Sequence, residues 1–347
     1  MWLILLIWSL VFGDTQVKLS SKPSKSGSIR LTQLARLTNN DEGYYSSVLS
    51  TVMENGNIVV LDRGNTIIYV YDQGGKELYK FGKEGSGPGE ISRPMNIFSA
   101  YNQIFVQEDL KTHIYKINGE HIADVNLLIA GQQALLLENN NKIFAQQLRH
   151  ETGKYLFGIM KADGSIGDFV ENPNYNSDND RNTRYYTSLV DYIITDKGIY
   201  SKDKGDYKFV FSDLKFQPVK TFTRPFDRVE RKDDEYGVVR ISQGDMSKSE
   251  HAKKEAAANA ALRKEMGKYH DDIRTFVGID NQRLFIEVKS DNDKLMKIDV
   301  IENDQYIDQL QIPHEGKYPQ ALIKNGLLLI NDRNDDIGPF VTVYRVN

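Results

Sequence analysis

Six histidines (His113, His121, His150, His251, His270 and His314) and no cysteine make up the chain's supply of soft metal ligands and imidazole bases. None of the six stands four residues from another, and no carboxylate accompanies them in zinc-ligand spacing, so each reads as a surface or turn histidine. The absence of cysteine excludes disulfides, thiolate metal sites, cysteine nucleophiles and a lipid-bearing cysteine. No Gly-x-Ser-x-Gly elbow occurs, and the stretch Gly82-Lys83-Glu84-Gly85-Ser86-Gly87-Pro88-Gly89-Glu90 lacks the Gly-Lys-Ser/Thr ending of a phosphate loop. Hard-oxygen chemistry has more material. Acidic clusters at 177–180, 291–293 and 331–336 offer oxygens that suit calcium, but none has the spacing and closing glutamate of a calcium loop. Solvated turns account for them more simply. No cofactor is therefore expected, calcium being the one candidate.

The glycine stretch says more about architecture. Four glycines and a proline in nine positions continue neither a helix nor a strand, so 82–90 must be a sharp connector. It joins two copies of one module. The first runs Asn55-Gly56-Asn57, Ile58 to Asp62, Ile67 to Asp72, then Gly74-Gly75; the second runs Asn102-Gln103, Ile104 to Glu108, His113 to Ile117, then Asn118-Gly119. Asp62 to Glu108 and Asp72 to Asn118 are both steps of 46 residues, and Asn118 to Asp163 is a step of 45. Further copies centre on Ile199 to Asp213, the weakest, on Leu284 to Val300, and on Leu327 to Val346, each preceded by a short apolar segment. Four strands per unit at this period are propeller blades, and six copies predict a six-bladed β-propeller, all-β. One four-stranded sheet cannot bury both its faces, so the blades must stack in a closed ring. The sixth copy ends a strand short. The segment Ile29 to Leu37 is assigned as the strand that closes it, although its spacing also fits a short helix.

The connector with its Pro-Gly-Glu, the following Pro94 and the Asp/Asn-Gly turns resemble the NHL-like six-bladed propeller proteins of bacteria, many of them exported and mostly uncharacterised. The resemblance covers about residues 40–347 and is best from Tyr79 to Glu120. It implies a binding or scaffolding module without shared catalytic residues, so it supplies no catalytic assignment.

Around the repeats, residues 1–13 form an apolar run too short to span a membrane and read as a signal peptide, with Val11 and Gly13 small enough for its cleavage site. No Lys or Arg precedes that run, which leaves an uncleaved anchor or a misassigned start as the alternatives. Residues 14–27, rich in Ser and Lys, are expected to be a flexible leader. The stretch 223–270 interrupts the repeat between blades 4 and 5. It contains the capping box Ser247-Lys248-Ser249-Glu250 and an alanine-rich run ending near Gly267, which predicts a helical insertion at about 245–268, packed on the rim or serving as a partner-binding lid.

With 44 basic and 48 acidic residues and a net charge of −4, the chain has no polyanion-binding excess, so nucleic acid is not an expected partner. Propeller ligands bind where the loops entering the innermost strands converge. On that geometry the ligand-binding candidates are Arg93, Tyr185, Tyr186, Asp191, Asp271, Asp272, Lys317 and Tyr318. The expectation is a monomeric, non-catalytic binding or protein-interaction module outside the cytoplasm (periplasmic, cell-surface or secreted), with a protein or small-molecule ligand and no integral membrane segment once the signal is removed. The alternative is a calcium-dependent, lactonase-like hydrolase using the central channel. That chemistry requires a ring of Glu, Asn and Asp at the innermost strand ends, for which Asp191 and Asp272 are the sequence's candidates.

Overall fold

The repeated Asp/Asn-Gly signal is a turn with a mechanism. Asp72 Oδ1 accepts the Lys76 N–H at 2.9 Å, Asn118 Oδ1 that of Glu120 at 3.1 Å, and Asp163 Oδ1 that of Ser165 at 2.9 Å. Gly75, Gly119 and Gly164 follow in the left-handed region, where a side chain is disfavoured. Each turn folds an apolar strand back on its neighbour, and the repetition of that event builds the molecule.

The computed structural model describes residues 14–38, 47–129, 132–139, 141–149, 154–171, 192–202, 204–242 and 247–347. Two strands precede the blades, β1 (Thr15–Lys18) and β2 (Leu31–Leu37). Blade 1 is β3 (Val48–Val52), β4 (Ile58–Asp62), β5 (Ile67–Tyr71) and β6 (Glu77–Phe81). Blade 2 is β7 (Asn96–Ala100), β8 (Gln103–Gln107), β9 (Lys111–Lys116) and β10 (His121–Asn126). Blade 3 holds β11 (Leu128–Ile129), β12 (Gln132–Asn139), β13 (Lys142–Arg149), β14 (Lys154–Met160) and β15 (Ile166–Glu171). Blade 4 is β16 (Tyr192–Ile194), β17 (Ile199–Lys202), β18 (Lys208–Ser212) and β19 (Pro218–Thr223). After the helix α1 (Lys248–Met266) come blade 5, with β20 (Ile273–Asp280), β21 (Arg283–Val288), β22 (Leu295–Glu302) and β23 (Gln305–Pro313), and blade 6, with β24 (Gln320–Lys324), β25 (Leu327–Asn334) and β26 (Gly338–Val346). This is the six-bladed propeller that the repeats predict, with its single described α-helix between blades 4 and 5.

Blade 6 is completed by β2, which pairs antiparallel with β26 from Leu31 opposite Val346 to Leu37 opposite Val341. The closing strand is therefore the segment assigned to that role. The blades are held together by apolar side chains that interdigitate between neighbouring sheets. Ile68, Val70, Ile97 and Ile104 do so between blades 1 and 2, Phe209, Phe222, Phe276 and Ile286 between blades 4 and 5, and Leu37, Val60, Leu329 and Val343 across the closure. Each such side chain, fully buried, contributes about 1.5–3 kcal/mol.

Residues 14–27 correct the expectation of a flexible leader. Strand β1 adds to blade 4 in parallel with β19, the backbone of Ser24 and Lys25 bonds to Tyr306 and Ile307, and Asp308 accepts the N–H groups of Gly27 (2.9 Å) and Ile29 (2.8 Å). A segment of low hydrophobicity orders here because its unpaired backbone groups meet an exposed strand edge. The expected signal peptide lies outside the described residues.

The insertion forms the expected helix between blades 4 and 5. Ser247 Oγ accepts from Glu250 N and the Glu250 carboxylate from Ser247 N, the expected capping box, and Gly267 (φ 72°) ends the helix. No residue of α1 is buried. Its fastenings run to a strap at 231–241: Asn259 exchanges hydrogen bonds with the Val239 backbone, Glu255 accepts from Ile241 N, and Arg263 pairs with Asp233 at 3.1 Å. Among the described residues no helix is long and apolar enough to cross a membrane.

Candidate binding site

The six innermost strands each enter the axis of the ring at one face and leave at the other, so their first residues share a mouth and their last residues a floor. Between them lies a cavity of about 510 Å³. Its wall sets apolar side chains, among them Ile97, Phe276 and Leu322, beside the polar Ser50, Thr275 and Asn331, and Asn96, Arg274 and Tyr318 stand at the strand starts.

The floor is charged. Lys324, at the end of β24 in blade 6 and 2% exposed, reaches across the ring to Glu138 of β12 in blade 3 and donates to its carboxylate and to the Ser99 carbonyl. The other oxygen of Glu138 accepts from Thr51 Oγ1 at 2.8 Å and from Ser99 N at 3.2 Å. Four blades thus meet in one buried ion pair whose remaining polar atoms are satisfied, which is what a buried charge requires. The pair lies at the floor of the cavity, here called the cup. A second polar tie, Ser50 Oγ donating to Asn331 Oδ1 at 2.6 Å, links blades 1 and 6 along the wall.

Nearer the mouth, Glu287 is buried and meets Arg274 at 3.1 Å. Burial pushes its carboxyl above the ordinary carboxylate range against the pull of Arg274 and Lys289. An acid with a raised folded value stabilises the fold while neutral, fully so below the ordinary carboxylate value. That contribution is lost as pH rises through the raised value. Glu287→Gln, which stays neutral, is expected to unfold at a higher temperature than the parent at about pH 7 and at the same temperature at about pH 4. Thermal unfolding at the two pH values checks this, and an equal gap at both contradicts it.

Beside the cup, under the insertion, runs a groove of about 610 Å³ that shares Arg274 and Tyr318 with it. His270 stands there between Glu235 Oε2 and Arg231 Nη1, each at 3.0 Å, and burial holds it below its ordinary pKa despite Glu235.

Three of the eight candidates come together in this region. Asp271, Lys317 and Tyr318 line the groove, Tyr318 also lines the cup, and Lys317 Nζ sits 5.3 Å from the centre of the Tyr318 ring. Asp272 does not face the channel. It is 2% exposed, accepts the Tyr207 N–H at 2.9 Å and the Arg228 guanidinium at 3.2 Å, and ties the β17–β18 turn to β20. Arg93 lines a separate depression on blade 2. Tyr185, Tyr186 and Asp191 lie outside the described residues. The sequence reasoning passed over Glu138, Arg274, Glu287 and Lys324, whose one sequence signal is a charge at an end of an apolar innermost or adjoining strand.

Several of the acidic groups weighed for calcium have partners within the protein. Asp291 pairs with Lys297 at 2.6 Å, Asp293 with Lys232 at 2.9 Å, and Asp332 accepts the N–H groups of Glu315 and Gly316. The cluster at 177–180 lies outside the described residues.

Residues 35–200 match the model of a family, DUF5128, described as a six-bladed β-propeller. No curated protein matches the chain. Among solved structures, the chain is similar to an exported protein of Bacteroides fragilis, at 14% identity over 96% of this chain and 100% of that one, with a TM-score of 0.57. It is also similar to a member of the DUF4221 family from Bacteroides vulgatus, at 13% identity over 93% of this chain and 99% of that one, with a TM-score of 0.52. At such identities the likeness is one of fold. Sheet topology, family match and fold likeness agree that this chain is a six-bladed β-propeller.

Proposed function

We infer that the chain is a non-catalytic binding module working outside the cytoplasm, of the NHL-like kind that its connector and turns resemble, and that its ligand is a small, largely apolar molecule seated in the central cup. The observation that carries this is the cup itself: a wall supplied by several blades, more apolar than polar, and a volume of about 510 Å³, within the roughly 300–1,000 Å³ typical of ligand pockets. Its charges are already partnered within the protein, Lys324 with Glu138 and Arg274 with Glu287, which favours a ligand carrying little charge of its own. The exported neighbour agrees with a location outside the cytoplasm. The calcium-dependent hydrolase draws no comparable support, because the described carboxylates lining the cup, Glu138 and Glu287, both face cations.

Asn96→Trp places an indole at the mouth, on a half-buried position at the start of β7. In a thermal-shift screen of small apolar metabolites, compounds that stabilise the parent are expected to lose their effect on this variant and to keep it on Arg93→Ala. Stabilisation surviving Asn96→Trp rejects the cup as the site, and a shift abolished by EDTA and restored by calcium favours the hydrolase.

A further inference from the structure

The histidines read as isolated surface and turn residues are not all so. His113 is completely buried in β9, and Asp124 is its direct cross-strand partner in β10. His121 lies three residues before Asp124, a spacing that puts two side chains on opposite faces of a regular strand. A register shift between His121 and Ala123 changes that parity and brings His121 to the face of Asp124 and His113. Asp124 Oδ1 then lies 2.7 Å from both His113 Nδ1 and His121 Nε2, and the three atoms fall within 4.8 Å of one another. Gly89 of the connector closes over the set. Its φ is 69°, and a Cβ there would fall 2.6 Å from the His121 ring.

We propose that His113, His121 and Asp124 form a binding site for a divalent transition metal of the zinc class. Two imidazoles and a carboxylate are the ligand types such ions take, and three protein ligands leave coordination positions open. Glu108 completes the design. Its Oε2 lies 3.4 Å from His113 Nε2, a completely buried nitrogen with no hydrogen-bond partner, on the far side of the ring from the ligating Nδ1. A carboxylate behind a ligating histidine fixes the ring's tautomer and orientation. Glu108 is itself pinned by the N–H groups of Ser92 and, at 3.0 Å, Arg93. The blade 2 depression, a space of about 510 Å³ lined by Arg93, Glu108, Lys111 and Asp124, borders the set at Asp124.

The test uses the purified full chain after EDTA treatment. Titration with Co(II), followed by its visible absorption and by Zn(II) competition, is expected to show one equivalent bound. His121→Ala and Asp124→Ala alter partly exposed positions and should leave the blade folded by circular dichroism. Each is expected to weaken Zn(II) binding by about 100-fold or more, and Glu108→Gln by about 10-fold, the scale of an outer-shell partner. His314→Ala is expected to bind as the parent does. A parent chain that takes up no Co(II), or a folded His121→Ala that binds Zn(II) as tightly as the parent, overturns the proposal.

Discussion

Lys324→Met is expected to lower the free energy of unfolding by about 3–5 kcal/mol, the cost of stranding one member of a buried ion pair. The lysine is 2% exposed, and its loss leaves the Glu138 carboxylate with only Thr51 and the Ser99 N–H. The double substitution Lys324→Met with Glu138→Leu is expected to recover most of that loss, because two apolar groups of similar volume carry no unpaid desolvation. Urea unfolding of the two single variants and the double variant measures the coupling directly. Losses that simply add would mean that the two side chains do not act as a pair. Since the pair links opposite blades, its removal should also open the floor of the cup.

Arg224→Met is expected to cost about 3–5 kcal/mol for the same physical reason, at the junction of blades 4 and 5. The guanidinium donates to Asp299 at 2.6 Å and lies 4.4 Å from the ring centre of Tyr207 and 4.5 Å from that of Tyr306. Asp299 is completely buried, and its other oxygen accepts from Gln309 at 2.9 Å. Burial raises its pKa, Arg224 opposing, so without the arginine Asp299 should take up a proton at a higher pH than in the parent. Arg224→Lys is expected to restore little, because an ammonium does not stack as a planar cation between two aromatic rings. Denaturant midpoints of the two variants check this, and a lysine variant as stable as the parent would show that charge alone suffices.

The fold was legible where local chemistry repeats. Turns at Asp72, Asn118 and Asp163 each carry their own hydrogen-bonding oxygen and a glycine at positive φ, so the period stands out in the bare chain. Blade 4 reads poorly because Phe216, at φ 61°, occupies the position that glycine holds elsewhere, while Asp213 keeps its turn bonds. Blade 5 turns on Asn303 and Asp304, both at positive φ, with no glycine to announce it. The site was legible only at its mouth, where Lys317 and Tyr318 precede an innermost strand. Lys324 and Glu138 end their strands like any solvated residue, and only ring closure sets blades 6 and 3 opposite each other. The grouping of His113, His121 and Asp124 depends on a register shift that no spacing rule anticipates.

The way β1 and β2 are laid over blades 4, 5 and 6 has a consequence for biogenesis. The earliest described residues to leave the ribosome dock on others made much later: Lys25 awaits Ile307, and Leu31 awaits Val346. A premature stop just before Gly338 would therefore strip β2 of its partner and leave only β24 and β25 in blade 6, while residues 14–29 stayed docked on blades 4 and 5.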